Sequence, residues 1–285
     1  MFYKMTGSHV LRYRWKTMAF GLCLLVLLMN RSAKASDNEL DSGYRNMYNL
    51  DFASAHTNFG IWMKSHPEDP LGPVSDGAAF LFSEFDRLGV LDIELFSDDD
   101  RFTNRKRPSA DPAVRSAFNS RLQQGEHLAD AILAKTPSNA EALYAKTLIY
   151  GLRSDYAALI DKSDLTALRL SEQAATFAQR ALAVKPDLYD AHLATGAENY
   201  ILSLKPAPVR WFINIAGGGT NKKYGISELT LAAQRGHHLA PFARLILAVA
   251  ELRDGHKDQA RSLLASLAQE FPGNTLYRRQ LDRIH

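Results

Sequence analysis

The chain has 285 residues, of which 46% are hydrophobic, 23% charged and 10% aromatic, with 17 glycines, 11 prolines and one cysteine. This composition excludes a disordered tail, a collagen-like fibre and a disulfide-stapled miniprotein, and it fits one globular domain or two small ones. Six of the 34 basic residues lie in the first 35 positions, which contain no acidic residue. The remaining 28 basic and 31 acidic residues make the body of the protein mildly acidic, so we predict no nucleic-acid partner.

The first 35 residues have the pattern of a secretory signal peptide. Basic residues precede an apolar run over residues 18–29, and the small residues Ala33 and Ala35 follow at the −3 and −1 positions of a cleavage site. The run is shorter than the about 20 residues that a membrane-spanning helix needs. We therefore predict an exported, periplasmic protein with cleavage after Ala35. The alternative is a membrane anchor formed by an uncleaved 18–29 segment.

Residues 36–285 are predicted to form one all-α domain of about 10–12 helices, because apolar residues recur at the three- and four-residue spacings of a helix face. In chain order, such stripes run over residues 145–152, 174–182, 193–204 and 260–271. Residues 242–252 are apolar nearly all round, which predicts an inner helix. Irregular loops are expected near 90–110 and 206–222.

A repeat becomes visible when four helix ends are aligned on Pro67, Pro137, Pro186 and Pro272. The helices that precede these prolines are predicted at about 51–67, 113–137, 162–186 and 256–272. A small residue lies twelve positions before each proline: Ala55, Gly125, Ala174 and Ala260. Further positions of the repeat lie eight residues before (Phe59, Ala129, Ala178 and Leu264) and five before (Trp62, Ile132, Ala181 and Leu267). The small residue lets a partner helix approach closely, the next two fill the contact, and proline ends the helix.

This pattern resembles the tetratricopeptide repeat (TPR), a helix–turn–helix unit of 34 residues with Gly, Ala, Phe and Pro at these relative positions. In the first copy, Gly43 stands twelve residues before Ala55, as the pattern requires. The resemblance implies an α-solenoid of antiparallel helix pairs, in which Gly196 and Ala248 are small residues of two first helices. The prolines are 70, 49 and 86 residues apart, so insertions or unmatched helices separate the copies. The alternative is a non-repeating helical bundle that uses proline stops.

The segment 206–224 contains the best candidates for a specific contact. Three consecutive glycines precede a helix that begins near two lysines, so backbone N–H groups and the helix dipole could hold an anion there. Lysines at the positive end of a helix are unfavourable unless an acidic ligand neutralises them. The alternative is an inter-repeat loop with solvated lysines. The predicted binding residues are Arg210, Trp211, Gly217, Gly218, Gly219, Lys222 and Lys223.

Gly236, His237 and His238 follow that helix. We interpret Gly236 as a left-handed residue after the helix end, and the histidines as favourable groups at the negative end of the dipole. Adjacent histidines rarely chelate one metal, and no Asp, Glu or His at helical spacing completes a ligand set, so no metal site is predicted. No nucleophile or metalloprotease motif occurs, so we predict no catalytic residue, no cofactor and no enzyme activity.

Stacked helix pairs form a concave groove that binds an extended peptide or a helix of another protein. We therefore expect a non-enzymatic protein–protein interaction adaptor or scaffold of the bacterial cell envelope, with Trp211, Tyr189 and Tyr224 as candidate anchors. One alternative is an envelope small-ligand-binding protein or enzyme with an anion site at residues 217–223. Another is peripheral membrane attachment through the apolar segment 209–215.

Overall fold

A computed structural model describes residues 39–90, 109–204 and 221–284 of the chain. These residues form eleven α-helices and one 3-10 turn, and they contain no strand, which confirms the predicted all-α class. The helices are α1 (39–48), α2 (Phe52–Ser65), α3 (Leu71–Arg87), α4 (Pro112–Lys135), α5 (Ala140–Leu159), α6 (Asp164–Val184), α7 (His192–Ser203), α8 (Lys222–Arg235), α9 (Ala240–Arg253), α10 (Lys257–Glu270) and α11 (Thr275–Arg283). The 3-10 turn, Tyr189–Ala191, leads into α7. The predicted signal peptide lies outside the described residues.

Consecutive helices pack as five antiparallel hairpins: α1 with α2, α3 with α4, α5 with α6, α7 with α8, and α9 with α10. The second helix of each hairpin also contacts the first helix of the next, and α11 packs on α10. This is the arrangement of an α-solenoid, in which each unit buries its apolar face against its neighbour. The fold is a TPR-like row of helix pairs.

The twelve repeat positions read from the sequence lie where the hairpins meet. Eleven of the twelve side chains or glycine positions are buried, and Ile132 is half-buried. In the first hairpin, Gly43 lies directly against the ring of Phe59, where any side chain would collide with it. Burial of these positions at the contacts between consecutively paired helices, with Ile132 the one half-buried member, supports the repeat over an irregular bundle. Ile201 is an exception among the predicted stripes, because its side chain is 50% exposed.

The helix ends follow from local chemistry. Each of the four repeat helices ends two residues before its proline, and the intervening residue leaves the helical backbone conformation, as expected before proline. At the other end, Asp51 accepts a hydrogen bond from the backbone N–H of Ser54, and Asp111 does the same for two N–H groups of α4. These caps satisfy N–H groups that the helix itself leaves without a partner.

A fifth copy of the repeat, which the proline alignment missed, lies in α8. Gly225, Leu229 and Ala232 are buried and stand twelve, eight and five residues before His237, which occupies the position of the proline. A side-chain carbon on Gly225 would lie 2.6 Å from the backbone nitrogen of Tyr200 in α7. The fourth hairpin therefore has its two backbones in direct contact. The predicted small residues of the first helices are confirmed as well, since Gly196 and Ala248 are both buried.

The row of hairpins curves until its two ends meet. The hydroxyl of Tyr48 in α1 donates a hydrogen bond to the carbonyl of His238 at 2.9 Å, although the two residues are 190 positions apart. Asn274 returns a hydrogen bond to the carbonyl of Tyr48, also at 2.9 Å. Side chains of α1, α2, α9 and α10 share one hydrophobic core cluster. The first and last hairpins thus pack against each other.

Candidate interaction surface

Only two of the predicted binding residues lie within the described part of the chain. Arg210, Trp211 and the glycines 217–219 fall outside it, whereas Lys222 and Lys223 form the first turn of α8. The ammonium group of Lys222 lies 2.5 Å from a carboxylate oxygen of Asp254. This ion pair supplies the negative charge that we had expected from an acidic ligand. Lys223 forms no ion pair with a described residue, so one lysine of the predicted anion site remains available.

The fourth hairpin presents a continuous set of aromatic and charged side chains. Three of them are spaced along α8, and two come from the residues that lead into and begin α7. We call this set the fourth-hairpin surface; it consists of Tyr189, His192, Tyr224, Glu228 and Arg235. The guanidinium of Arg235 lies 4.1 Å from the centre of the Tyr189 ring, and the Tyr189 ring in turn faces that of His192 at 6.1 Å.

The buried Glu228 lies beneath this surface and binds two side chains of α7. Its carboxylate lies 2.7 Å from Nδ1 of His192 and accepts a hydrogen bond of 2.9 Å from the hydroxyl of Thr195. Glu228 is buried, so these bonds form away from water and hold His192 in one orientation. Tyr224 extends outward, with 45% of the residue exposed. Burial of its ring, together with the charge of Glu228 and the hydrogen bond that the hydroxyl shares with it, raises the pKa of Tyr224.

The fourth-hairpin surface contains residue types that are enriched at protein interfaces. Tyrosine and arginine carry much of the energy at protein interfaces, because each combines a large contact area with hydrogen-bonding groups. Here the half-buried Tyr189 and the exposed Arg235 are already held against each other, so little side-chain entropy is left to lose on binding. Tyr189 and Tyr224, two of the predicted anchors, lie on this surface. The third, Trp211, lies outside the described residues.

The inner side of the curve is occupied by the protein's own side chains. Phe82 of α3 meets Phe242 of α9 edge to face, with ring centres 5.5 Å apart. Tyr44 of α1 stacks on His238 at 4.3 Å. A pocket between the first and last hairpins is lined by Met47, Tyr48 and Tyr277, among others, and has room for about one water molecule. The concave groove that we predicted as the binding site is therefore packed shut at this point.

Asp190 ties the fourth hairpin to the fifth. Its buried carboxylate accepts hydrogen bonds from the backbone N–H groups of His237, His238 and Leu239, at 2.7, 2.9 and 3.1 Å. Gly236 is not the left-handed residue that we predicted, since its φ is −64°. Glycine is needed there for space, because a side-chain carbon would lie 2.5 Å from the Asp190 carboxylate.

The turn held by Asp190 also brings the two histidines to Asp41 of α1. The Nε2 atoms of His238 and His237 lie 2.8 and 3.2 Å from the same carboxylate oxygen of Asp41. Sequence spacing could not reveal this third group, because Asp41 is 197 residues from His238. Within the described ranges, this is the one group of three or more His, Cys, Asp or Glu side chains close enough to share a metal ion.

Comparison with known proteins adds a likeness in fold. No protein-family model matches the chain, and no curated protein matches it. Among solved structures, the crystal structure of a thermophilic TPR protein from Thermus thermophilus is similar, with 17% sequence identity, a TM-score of 0.44, and coverage of 87% of this chain and 98% of that one. The repeat assignment rests on the contacts described above.

Within residues 39–90, 109–204 and 221–284, no helix combines the length and the apolar character that crossing a bilayer requires.

Proposed function

We propose that the protein is a non-enzymatic adaptor of the bacterial cell envelope that binds a partner protein or peptide through the fourth-hairpin surface. The observation that carries this proposal is the contact of Arg235 with the Tyr189 ring, together with the exposed Tyr224 at the other end of α8 on the same hairpin. Ring faces, a guanidinium and a phenolic group are of the kinds that recognise polypeptide surfaces. The predicted groove is a weaker candidate, because side chains of the first and last hairpins fill it.

An anion-binding site at residues 217–223 receives less support. Lys222, one of the two lysines of this site within the described residues, already forms an ion pair with Asp254. Its ammonium group lies 2.5 Å from a carboxylate oxygen of that residue. A small-ligand carrier or enzyme would also need a cavity with converging polar groups, of about 300 Å³ or more. The pocket between the first and last hairpins is lined mainly by apolar side chains and has room for only about one water molecule. The adaptor is therefore the function that we put forward.

Site-specific photo-crosslinking in intact cells tests the binding surface. A photoreactive residue replaces Tyr224, and in a matched control it replaces Leu165, which is 83% exposed on the third hairpin. We expect a discrete crosslinked species from position 224 that is weak from position 165 and that fades when Arg235→Ala is added. Equal crosslinking from both positions, or a species that Arg235→Ala leaves unchanged, would contradict the proposed surface.

Export is a separate part of the proposal and has its own test. Sec-type leaders are removed during translocation, so the mature protein should begin at Ser36 and appear in the periplasmic fraction. N-terminal sequencing of protein recovered from that fraction measures both. Recovery of full-length chain in the membrane pellet would instead support the uncleaved anchor at residues 18–29.

A further inference from the structure

Asp41, His237 and His238 form a compact cluster that joins the first helix to the turn between the fourth and fifth hairpins. Both imidazoles direct Nε2 toward one carboxylate oxygen of Asp41, at 2.8 Å for His238 and 3.2 Å for His237. The two imidazole rings stack, with centres 4.2 Å apart. All three ligand atoms lie within 4.8 Å of one another. Adjacent histidines thus converge here, which the sequence alone did not indicate.

The donor set and its spacing suit a divalent transition-metal ion. Neutral imidazole nitrogen and carboxylate oxygen are ligands of Zn²⁺, with metal–ligand distances of about 2.0–2.2 Å. Tetrahedral ligands at those distances are about 3.3–3.6 Å apart. The two contacts of Asp41 are a little shorter, so a small outward movement of exposed side chains would open room for the ion. Asp41 and His237 can make that movement, because their side chains are 44% and 70% exposed.

The remaining ligand, His238, is held in place by its surroundings. Its side chain is only 12% exposed, and its ring stacks on Tyr44 at an interplanar angle of 11°. The carbonyl of His238 accepts the hydroxyl of Tyr48, and its backbone N–H is bound by Asp190. The ring stacking and the two backbone bonds hold His238 in position without an ion. One ligand is therefore fixed, and two can adjust from the solvent side.

We propose that Asp41, His237 and His238 bind one Zn²⁺-class divalent ion, with water completing the coordination. The bound ion links α1 to the turn between α8 and α9, so it fastens the first hairpin to the last. Because the unfolded chain does not hold these groups together, binding of the ion stabilises the closed form by mass action. The bound ion therefore holds the two ends of the curved row together.

Calorimetric titration of the protein with ZnCl₂ alone tests the proposed metal site. The mature, tag-free protein is first stripped with a chelator and desalted, since a polyhistidine tag would bind the ion itself. We expect one Zn²⁺ per chain and a rise in the unfolding temperature on its addition. In His237→Ala the affinity should fall by at least about tenfold and the temperature shift should disappear. The exposed side chain of His237 makes it the ligand whose loss disturbs the metal-free fold least.

His127→Ala is the matched control, because His127 is an exposed histidine on α4 and belongs to no such cluster. This variant should bind Zn²⁺ as the parent protein does. Asp41→Asn is a second variant that keeps the side-chain shape and removes the anionic ligand, and it too should bind weakly. The proposal is overturned if the parent protein binds no Zn²⁺, or if His237→Ala and Asp41→Asn bind it as tightly as the parent and the control.

Discussion

Glu198 should make the stability of this protein fall as the pH rises. The residue lies on α7, is only 8% exposed, and forms no salt bridge with a described residue. Burial raises the pKa of its carboxyl to about 7 from an ordinary value of 4.5, and the negative charge of Glu172 adds to the effect. At neutral pH and above, the folded protein must therefore hold a carboxylate in a poorly solvated position.

The sign and the size of the effect follow from proton linkage. Because the folded state binds this proton more tightly than the unfolded state, its contribution to stability is full below about pH 4.5 and is lost as the pH rises through 7. A pKa difference from 4.5 to about 7 corresponds to about 3 kcal/mol. Glu198→Gln cannot ionise, so its stability advantage over the parent should grow by about 2–3 kcal/mol between pH 5 and pH 8.

Urea unfolding of the mature protein, followed by far-ultraviolet circular dichroism at pH 5, 6, 7 and 8, measures this difference. Subtracting the parent curve cancels the other titrating groups, which both proteins share. Glu68→Gln serves as control, since Glu68 is exposed and its replacement should change the difference by less than about 0.5 kcal/mol at any pH. A constant gap between Glu198→Gln and the parent across the series would refute the argument that a buried carboxyl is the cause.

Three further substitutions test the packing and the turn, each by the change in the free energy of unfolding. Phe59→Ala removes a ring with no exposed surface and should cost about 3–5 kcal/mol. Gly225→Ala forces a methyl group to 2.6 Å from the backbone nitrogen of Tyr200 and should cost about 2 kcal/mol or more. Gly60→Ala is its control, because the space around Gly60 is open, and it should stabilise the protein by about 0.5–1 kcal/mol. Asp190→Ala leaves three backbone N–H groups of the α8–α9 turn without their acceptor and should cost about 2–4 kcal/mol. Near-neutral effects of Phe59→Ala, Gly225→Ala or Asp190→Ala would contradict the corresponding contact.

The helix pairs could be predicted from sequence because their determinants are local. A small residue at the crossing point, as at Ala55, and proline two residues past the helix end are both visible in a window of about 20 residues. The same local signal was present in α8, where Gly225, Leu229 and Ala232 keep the spacing. It was missed because the copies were aligned on proline, and His237 stands in its place. A search on the spacing alone would have found the fifth copy.

The contact between the two ends of the row could not be predicted from the sequence. Each hairpin is rotated slightly relative to the one before it, and the ends meet only because these rotations add up along the row. Residues such as Tyr48 and His238 meet only after that sum is complete, and nothing near either residue in the sequence refers to the other. The same reason hid the cluster around Asp41, whose partners come from the other end of the row.

The fourth-hairpin surface was partly predictable from the sequence. Tyr189 and Tyr224 were candidate anchors, but the roles of Glu228 and Arg235 depend on how α7 packs on α8.

Closure changes the energetics of the whole fold. In an open solenoid each repeat contacts only its neighbours, so the ends can unfold without disturbing the middle. Here the terminal helices are bound twice, because α1 packs on α2 and also on the fifth hairpin, while α11 packs on α10 and its cap residue Asn274 bonds to α1. Releasing either end therefore exposes two interfaces at once, so we expect the ends to unfold less readily than those of an open solenoid. Where the first and last hairpins meet, their own side chains also occupy the inner face of the row.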